Sequence, residues 1–120
     1  MKGPIEYKIV SLYGNELQLG YHGSHVDFVW RPYDERSEEH RKDYDLLEVS
    51  ILKDRIQKPL ITFKGHVLIG MRRTELFWKH YGLQEQIACA EIQEDVYLWD
   101  RYDLPRLDEL KATIGEYEYK

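Results

Sequence analysis

The segment spanning residues 60–83 constrains the fold of this chain most, because its hydrophobic period changes partway along. Two short β-prone runs, 60–63 and 67–69, are separated by Gly65 at the spacing of a hairpin. After Gly70 the apolar residues recur about every 3.6 positions, which predicts a helix that stops near the next glycine. The segment therefore predicts a pair of strands, a glycine turn and a helix.

The turn at Gly70 has the chemistry expected of an anion site. A strand that turns through glycine into a helix leaves backbone N–H groups without intrahelical partners. Arg72 and Arg73 place two positive charges beside those groups, and guanidinium groups bind phosphate oxygens in a bidentate manner. The alternative is that both arginines pair with surface carboxylates, and the residues alone leave it open. If phosphoryl chemistry takes place there, Glu48 or Glu75 is the candidate acid/base residue; otherwise both are surface charges.

The rest of the chain supplies the elements around this segment. Residues 5–19 alternate about Gly14-Asn15 and predict an N-terminal β-hairpin. Apolar residues at helical spacing predict a helix from 43 or 45 to 55, which we expect to pack on the sheet. A β-prone run at 86–92 predicts the strand that completes a strand–helix–strand unit. Asp103, which is followed shortly by proline, predicts the start of a last helix.

Length and composition predict a single domain over residues 1–120 that folds without metal or disulfide. The chain is 42% hydrophobic, and its single cysteine, Cys89, lies in an apolar run, which fits a reducing compartment. Its 17 Lys and Arg against 22 Asp and Glu give a net charge of −5, which argues against nonspecific DNA binding. No signal peptide or membrane-spanning run is visible, so we expect a cytoplasmic protein.

His22, His25 and Asp27 carry enough donor atoms for a metal ion. However, the two residues between the histidines are glycine and serine, whose flexibility preorganises a site poorly. No second cluster in the sequence completes a tetrahedral ligand set. We therefore assign no metal-binding residues.

Three phrases in the middle of the sequence together resemble the N-terminal domain of ParB-type partition proteins, in the ParB/sulfiredoxin superfamily. They are a helix phrase at 44–51, a proline followed by a hydrophobic strand at 59–61, and the Gly-Met-Arg-Arg turn at 70–73. The resemblance covers about residues 30–92. It implies an α+β fold, with a small mixed sheet and flanking helices. Stand-alone members are typical of phage and plasmid genomes, which implies a host cytoplasm.

In that family the arginine-rich turn binds nucleotide phosphates: CTP in partition proteins, and ATP or ADP in sulfiredoxin and related free-serine kinases. The resemblance thus implies a ligand site at Gly70, Arg72 and Arg73. Arg31 falls where partition proteins have an arginine-containing loop, and Arg101 matches the arginine of a later family phrase. The implied ligand is a nucleotide or another phosphate compound, with a nucleoside triphosphate and Mg as the implied cofactor. The identity of the ligand, its turnover and the oligomeric state are left open.

Two positions depart from the family pattern and favour a different function. Met71 stands where partition proteins usually have Glu, and Leu98 stands where an Asn helps to hold the magnesium of the nucleotide. These changes favour a non-catalytic interaction module that binds a host protein or docks near DNA. A nuclease is a weaker alternative, because it needs a carboxylate–metal cluster that the sequence does not impose. Whether the chain is an enzyme is left open.

Overall fold

The computed structural model describes residues 2–30, 38–54 and 58–117. Arg31, which is one of the predicted ligand residues, lies outside the described residues, as does the predicted end of the first helix at residue 55. The strands are β1 (Tyr7–Tyr13), β2 (Gln18–Leu19), β3 (Tyr21–His22), β4 (Asp27–Phe28), β5 (Leu60–Phe63), β6 (His66–Ile69) and β7 (Gln86–Ile92). The helices are α1 (Glu38–Asp54), α2 (Met71–Tyr81) and α3 (Leu104–Tyr117).

Five of the strands form one mixed sheet in the order β1-β7-β5-β6-β2. In this sheet β7 pairs antiparallel with β1 and parallel with β5. On the other side, β5 pairs antiparallel with β6, which in turn pairs parallel with β2. β3 and β4 pair with each other in a separate two-stranded ribbon. The predicted α+β class, with a mixed sheet and flanking helices, is confirmed.

The segment around Gly70 folds as its period predicts. β5 and β6 form a hairpin through Lys64 and Gly65, whose φ angles are positive at 49° and 81°. Two consecutive residues with positive φ give a turn whose twist matches that of the strands. Gly70 then begins α2, and Gly82 ends it. Local turn chemistry therefore sets the limits of each element in this segment.

The N-terminal strand is confirmed, but it does not form the predicted hairpin, since β1 pairs with β7 and β2 lies at the opposite edge. After β1 the chain makes a single 3₁₀ turn at Gly14–Glu16 in place of a two-residue hairpin turn. The N–H of Gly14 donates to the carbonyl of Glu85 at 3.0 Å, which extends the β1–β7 ladder. Because β7 has seven residues and β2 only two, pairing with β7 satisfies more backbone groups of β1.

Helices cover both faces of the sheet. On one face, α3 buries Leu107 in the same apolar cluster as Trp99 and Ile61. On the other face, α2 buries Phe77 in a cluster with Cys89 of β7. We call these the α3 face and the α2 face. The turn at Gly70 belongs to the α2 face, since it leads directly into that helix.

α1 confirms the predicted middle helix, although it begins earlier, at Glu38. Tyr44 and Ile51 of α1 are buried in a cluster with Leu76 of α2. α1 therefore packs on α2, whereas the sequence pattern predicted packing on the sheet. The difference arises because α2, which follows β6 immediately, already occupies that face.

Candidate functional site

Gly70 connects β6 to α2 in a backbone conformation that strongly favours glycine. Its φ is 101° and its ψ is 24°, and it is the N-cap residue of α2. A Cβ atom at this position would lie 2.6 Å from Cδ2 of Leu60 and 2.9 Å from Nη2 of Arg73. Both the φ angle and the available space therefore select glycine. The same close packing brings the guanidinium of Arg73 against the turn.

The first turn of α2 presents backbone N–H groups at its amino end. Thr74 is fully buried, and both its N–H and its Oγ1 donate to the carbonyl of Gly70 at 2.9 Å. The N–H groups of residues 71–73 come before the first intrahelical bond, and Gly70 has no side chain to accept from them. The positive end of the helix dipole lies at the same place. This end of the helix therefore favours a negatively charged ligand.

The two arginines of the turn differ in what they contact. Arg73 donates from Nη1 to the carbonyl of Lys58 at 2.9 Å, which ties α2 to the chain just before β5. Arg72 is half-buried, and its side chain makes no hydrogen bond or ion pair with another residue in the described ranges. Arg73 therefore stabilises the position of α2 relative to β5, whereas the guanidinium of Arg72 is available to a ligand.

Met71 and Leu98, the two positions that depart from the family pattern, are both apolar, but they lie in different environments. Met71 is half-buried and packs against the apolar cluster of the α2 face. Leu98 ends a 3₁₀ turn, Val96–Leu98, and its side chain is 67% exposed. Met71 therefore contributes to the core, whereas Leu98 lies at the surface.

The two acid/base candidates both link α1 to α2. Glu48 accepts from Nε2 of His80 at 2.8 Å and from Nζ of Lys79 at 2.9 Å. The hydrogen bond from His80, followed by that from Lys79, lowers the pKa of Glu48. Glu75 accepts from the hydroxyl of Tyr44 at 2.7 Å. It is the fifth residue of α2 and so lies beyond the first turn. In this arrangement both carboxylates hold the two helices together.

Arg101 lies on a further 3₁₀ turn, Arg101–Asp103, just before α3. Its guanidinium lies 5.0 Å from the centre of the Tyr102 ring and donates to the hydroxyl of Tyr102 at 3.0 Å. Asp100 caps this turn by accepting from the N–H of Tyr102 at 2.8 Å. The exposed Arg101 is therefore held beside an exposed tyrosine.

The structure does not bring Arg101 to the turn at Gly70. Gly70 follows β6 and therefore lies at the amino end of β5, because the two strands are antiparallel. The start of α3 is tied to the other end of the sheet, since Arg106 pairs with Glu94 directly beyond the carboxyl end of β7. β7 runs parallel to β5, so the two ends are opposite. Gly70, Arg72 and Arg73 form one group, and Arg101 lies apart from them.

Sequence reasoning missed the ion network in which Arg106 takes part. Arg106 donates to Glu94 at 2.6 Å and to Asp103 at 2.8 Å, and Lys2 lies 3.1 Å from Asp103. Burial by itself raises the pKa of Asp103, but hydrogen bonds from the Asp100 N–H, Arg106 and Lys2 outweigh it and the pKa is lowered. The spacing of Asp103 and Arg106 is a local signal for their pair. No such signal exists for Glu94.

An open cleft of about 380 Å³ lies where β1 ends and β7 begins. It is lined by Tyr13, Phe77 and residues 84–88. None of the residues predicted to bind a ligand lines it.

Of the three donors considered for a metal ion, His22 lies on β3 and Asp27 on β4, and these two make one long contact. Nδ1 of His22 lies 3.4 Å from Oδ1 of Asp27. In the described parts of the chain, no three His, Cys, Asp or Glu residues are close enough to hold a metal ion together. Across the same residues, every helix is too short or too polar to cross a bilayer.

Comparison with known proteins identifies the fold. No protein-family model matches the sequence, and no curated protein matches it. A solved structure of a Pnob8-like ParB-N domain matches with a TM-score of 0.52 and 16% sequence identity. The match covers 97% of this chain and 39% of that one. At this identity the likeness concerns the fold, and the ParB-like fold expected from the three sequence phrases is confirmed.

Proposed function

We propose that this chain, which has a ParB-N-like fold, binds a nucleotide or another phosphate-bearing ligand at the amino end of α2. The main observation in support of this proposal is the structure of the first turn of α2. Its N-cap is a glycine, three backbone N–H groups precede the first intrahelical bond, and Arg72 lies among them without a partner in the described residues. Helix amino ends and guanidinium groups both favour phosphate oxygens.

The residues of the turn take different parts in this proposal. Gly70 allows the phosphate to approach the backbone, and Arg72 supplies the charged contact. Arg73 holds the turn in place through the carbonyl of Lys58, because its guanidinium packs against Gly70. Arg31 is kept as a ligand residue on the sequence resemblance alone. Arg101 lies at the end of the sheet opposite Gly70. A role for Arg101 in ligand binding therefore also rests on the sequence resemblance alone.

Calorimetric titration with CTP, ATP, GTP and ADP, with and without Mg²⁺, tests the proposal. We expect Arg72→Ala to weaken binding of the best ligand by about tenfold to a hundredfold, because a charge-assisted hydrogen bond contributes about 1.5–3 kcal/mol. Lys111→Ala is the matched control, since it removes one exposed positive charge from α3, on the other face of the sheet. The proposal fails if no compound of the panel binds the wild-type chain.

A second candidate function, a non-catalytic interaction module, is favoured by an exposed group of large side chains. Tyr97, Leu98 and Tyr102 are 54%, 67% and 71% exposed, and Arg101 stacks on Tyr102. Tyrosine and arginine are enriched in the parts of interfaces that contribute most to binding. The same titration separates the two functions. Leu98→Ala combined with Tyr102→Ala leaves nucleotide affinity unchanged if the ligand binds at Gly70.

A further inference from the structure

The outer edge of the sheet at β1 is long and open. β1 is the terminal strand of the five-stranded sheet and has seven residues, whereas β2 at the opposite edge has two. A terminal strand has one row of backbone N–H and C=O groups that its neighbour does not use. The length of β1 therefore makes this the larger of the two free edges.

The hydrogen bonds at its ends show which residues of β1 turn their backbone groups outward. The N–H of Gly14 donates to Glu85 at 3.0 Å, and the N–H of Gln93 donates to Glu6 at 2.8 Å. In an antiparallel pair the residues that exchange such bonds alternate along each strand. Even-numbered residues of β1 therefore face β7, and the N–H and C=O groups of Tyr7, Ile9 and Ser11 point away from it.

Those outward groups have no hydrogen-bond partner within the described ranges, since β1 pairs with β7 alone. Ile9 is 41% exposed, and Lys8 and Ser11 are exposed as well, whereas Val10 is half-buried. At the carboxyl end of β1 the outward N–H is already used. The N–H of Tyr13 already donates to Oε1 of Glu16 at 3.0 Å, so the open part of the edge runs from Tyr7 to Ser11.

We propose that β1 is a homodimer interface, at which a second copy of this chain adds its own β1 antiparallel about a two-fold axis at Ile9. In this register Tyr7 lies opposite Ser11 of the second copy and Ile9 lies opposite its equivalent. Each of these three pairs exchanges two backbone hydrogen bonds, so roughly six bonds form. They use all the open outward groups and leave the contact between Tyr13 and Glu16 intact. The two five-stranded sheets become one continuous sheet.

The side chains of the edge agree with this register. Lys8 is the only charged residue of β1, and an axis at Ile9 places it opposite Val10 of the second copy. An axis at Lys8 would instead place two lysines directly opposite each other, which is destabilising. The symmetric register therefore pairs the edge without opposing charges.

Sedimentation velocity of the wild-type chain, from low micromolar to several hundred micromolar, tests the proposal. We expect a concentration-dependent shift from monomer to dimer. Ile9→Pro removes the outward N–H without removing a bond to β7, and proline is tolerated at such edge positions, so we expect this variant to remain monomeric. Ile9→Thr keeps both the N–H and a β-branched side chain, and we expect it to dimerise. A wild-type chain that stays monomeric throughout, or an Ile9→Pro variant that dimerises like wild type, overturns the proposal.

Cysteine cross-linking tests the register and does not depend on a proline variant. Residues opposite each other in such a pair have Cα atoms about 5.5 Å apart, which is within the range of a disulfide. Ile9→Cys should therefore give a covalent dimer on mild oxidation. Ser11→Cys is the control, since its two copies would lie about 13 Å apart along the strands. Cys89 is fully buried, and burial raises the pKa of its thiol to about 12, so it does not interfere. Equal cross-linking of both variants, or of neither, contradicts the register.

Discussion

At the scale of single residues, the candidate site depends on a glycine that both its backbone conformation and the space around it select. Gly70 combines a φ of 101° with a position where a Cβ would meet Leu60 and Arg73. Gly82 has a φ of 79° but open space around its Cβ, and Gly3 has open space without a positive φ. These three glycines therefore differ both in backbone conformation and in the space around the Cβ position.

We expect Gly70→Ala to lower the free energy of unfolding by about 1–3 kcal/mol, because strain and crowding act together. Gly82→Ala should also destabilise the chain, because its φ of 79° and ψ of −171° lie in a region that is essentially restricted to glycine, and Gly3→Ala should leave stability almost unchanged. Urea unfolding of the three variants measures these differences. Equal stability of Gly70→Ala and Gly3→Ala would contradict the account of the turn.

At the scale of elements, α1 stabilises the candidate site through α2. Tyr44 and Ile51 pack on Leu76, which is fully buried, while Glu48 and Glu75 accept hydrogen bonds across the same interface. α2 is therefore held from the sheet side by Phe77 and its neighbours and from the outer side by α1. The first turn of α2, with its arginines, is positioned by both contacts.

We expect Leu76→Ala to destabilise the chain by about 2–4 kcal/mol, because it opens a cavity between α1 and α2. Leu46→Ala is the matched control, since Leu46 lies on α1 and is 70% exposed, and a change there should alter stability by less than about 0.5 kcal/mol. Thermal or urea unfolding measures both variants. Similar losses in both would show that α1 does not pack through Leu76.

At the scale of the whole molecule, an ion network joins the N-terminal residues to α3. Arg106 contacts Glu94, Asp103 and the carbonyl of Gly3, and Lys2 reaches Asp103. Burial raises the pKa of Glu94, but hydrogen bonds from Arg106 and Trp99 outweigh it, so its pKa is lowered as that of Asp103 is. The network holds α3 against the carboxyl end of β7.

The lowered pKa values predict a loss of stability in acid. A carboxylate whose pKa is lower in the folded state stabilises the fold above its unfolded pKa, and this contribution disappears as the pH falls through the folded value. The unfolded values are about 3.8 for Asp103 and 4.5 for Glu94, so we expect the loss below about pH 4.5. Thermal unfolding between pH 3 and pH 7 measures it.

Arg106→Leu tests the origin of this dependence. It removes the hydrogen bonds that Arg106 donates to Glu94 and Asp103, so we expect a loss of about 2–4 kcal/mol at neutral pH. We also expect acid unfolding to begin at a higher pH, because both carboxylates lose a hydrogen bond that lowers their pKa. Arg101→Leu, which removes an exposed arginine nearby, should leave the pH profile unchanged. An identical shift in both variants would mean that net charge alone sets the profile.

The amino-acid sequence by itself determined the hairpin of β5 and β6, the glycine turn and α2, together with the arginines at its start. These features depend on residues within a few positions of one another, such as Lys64 with Gly65 and Gly70 with Thr74, so hydrophobic period and turn chemistry suffice to predict them. Only the tertiary structure decided that β1 pairs with β7, that α1 packs on α2, and that Arg101 lies far from Gly70. Those arrangements depend on contacts between distant segments, such as Tyr7 with Ile92 and Arg106 with Gly3, and the competition among such contacts is settled by packing and backbone pairing.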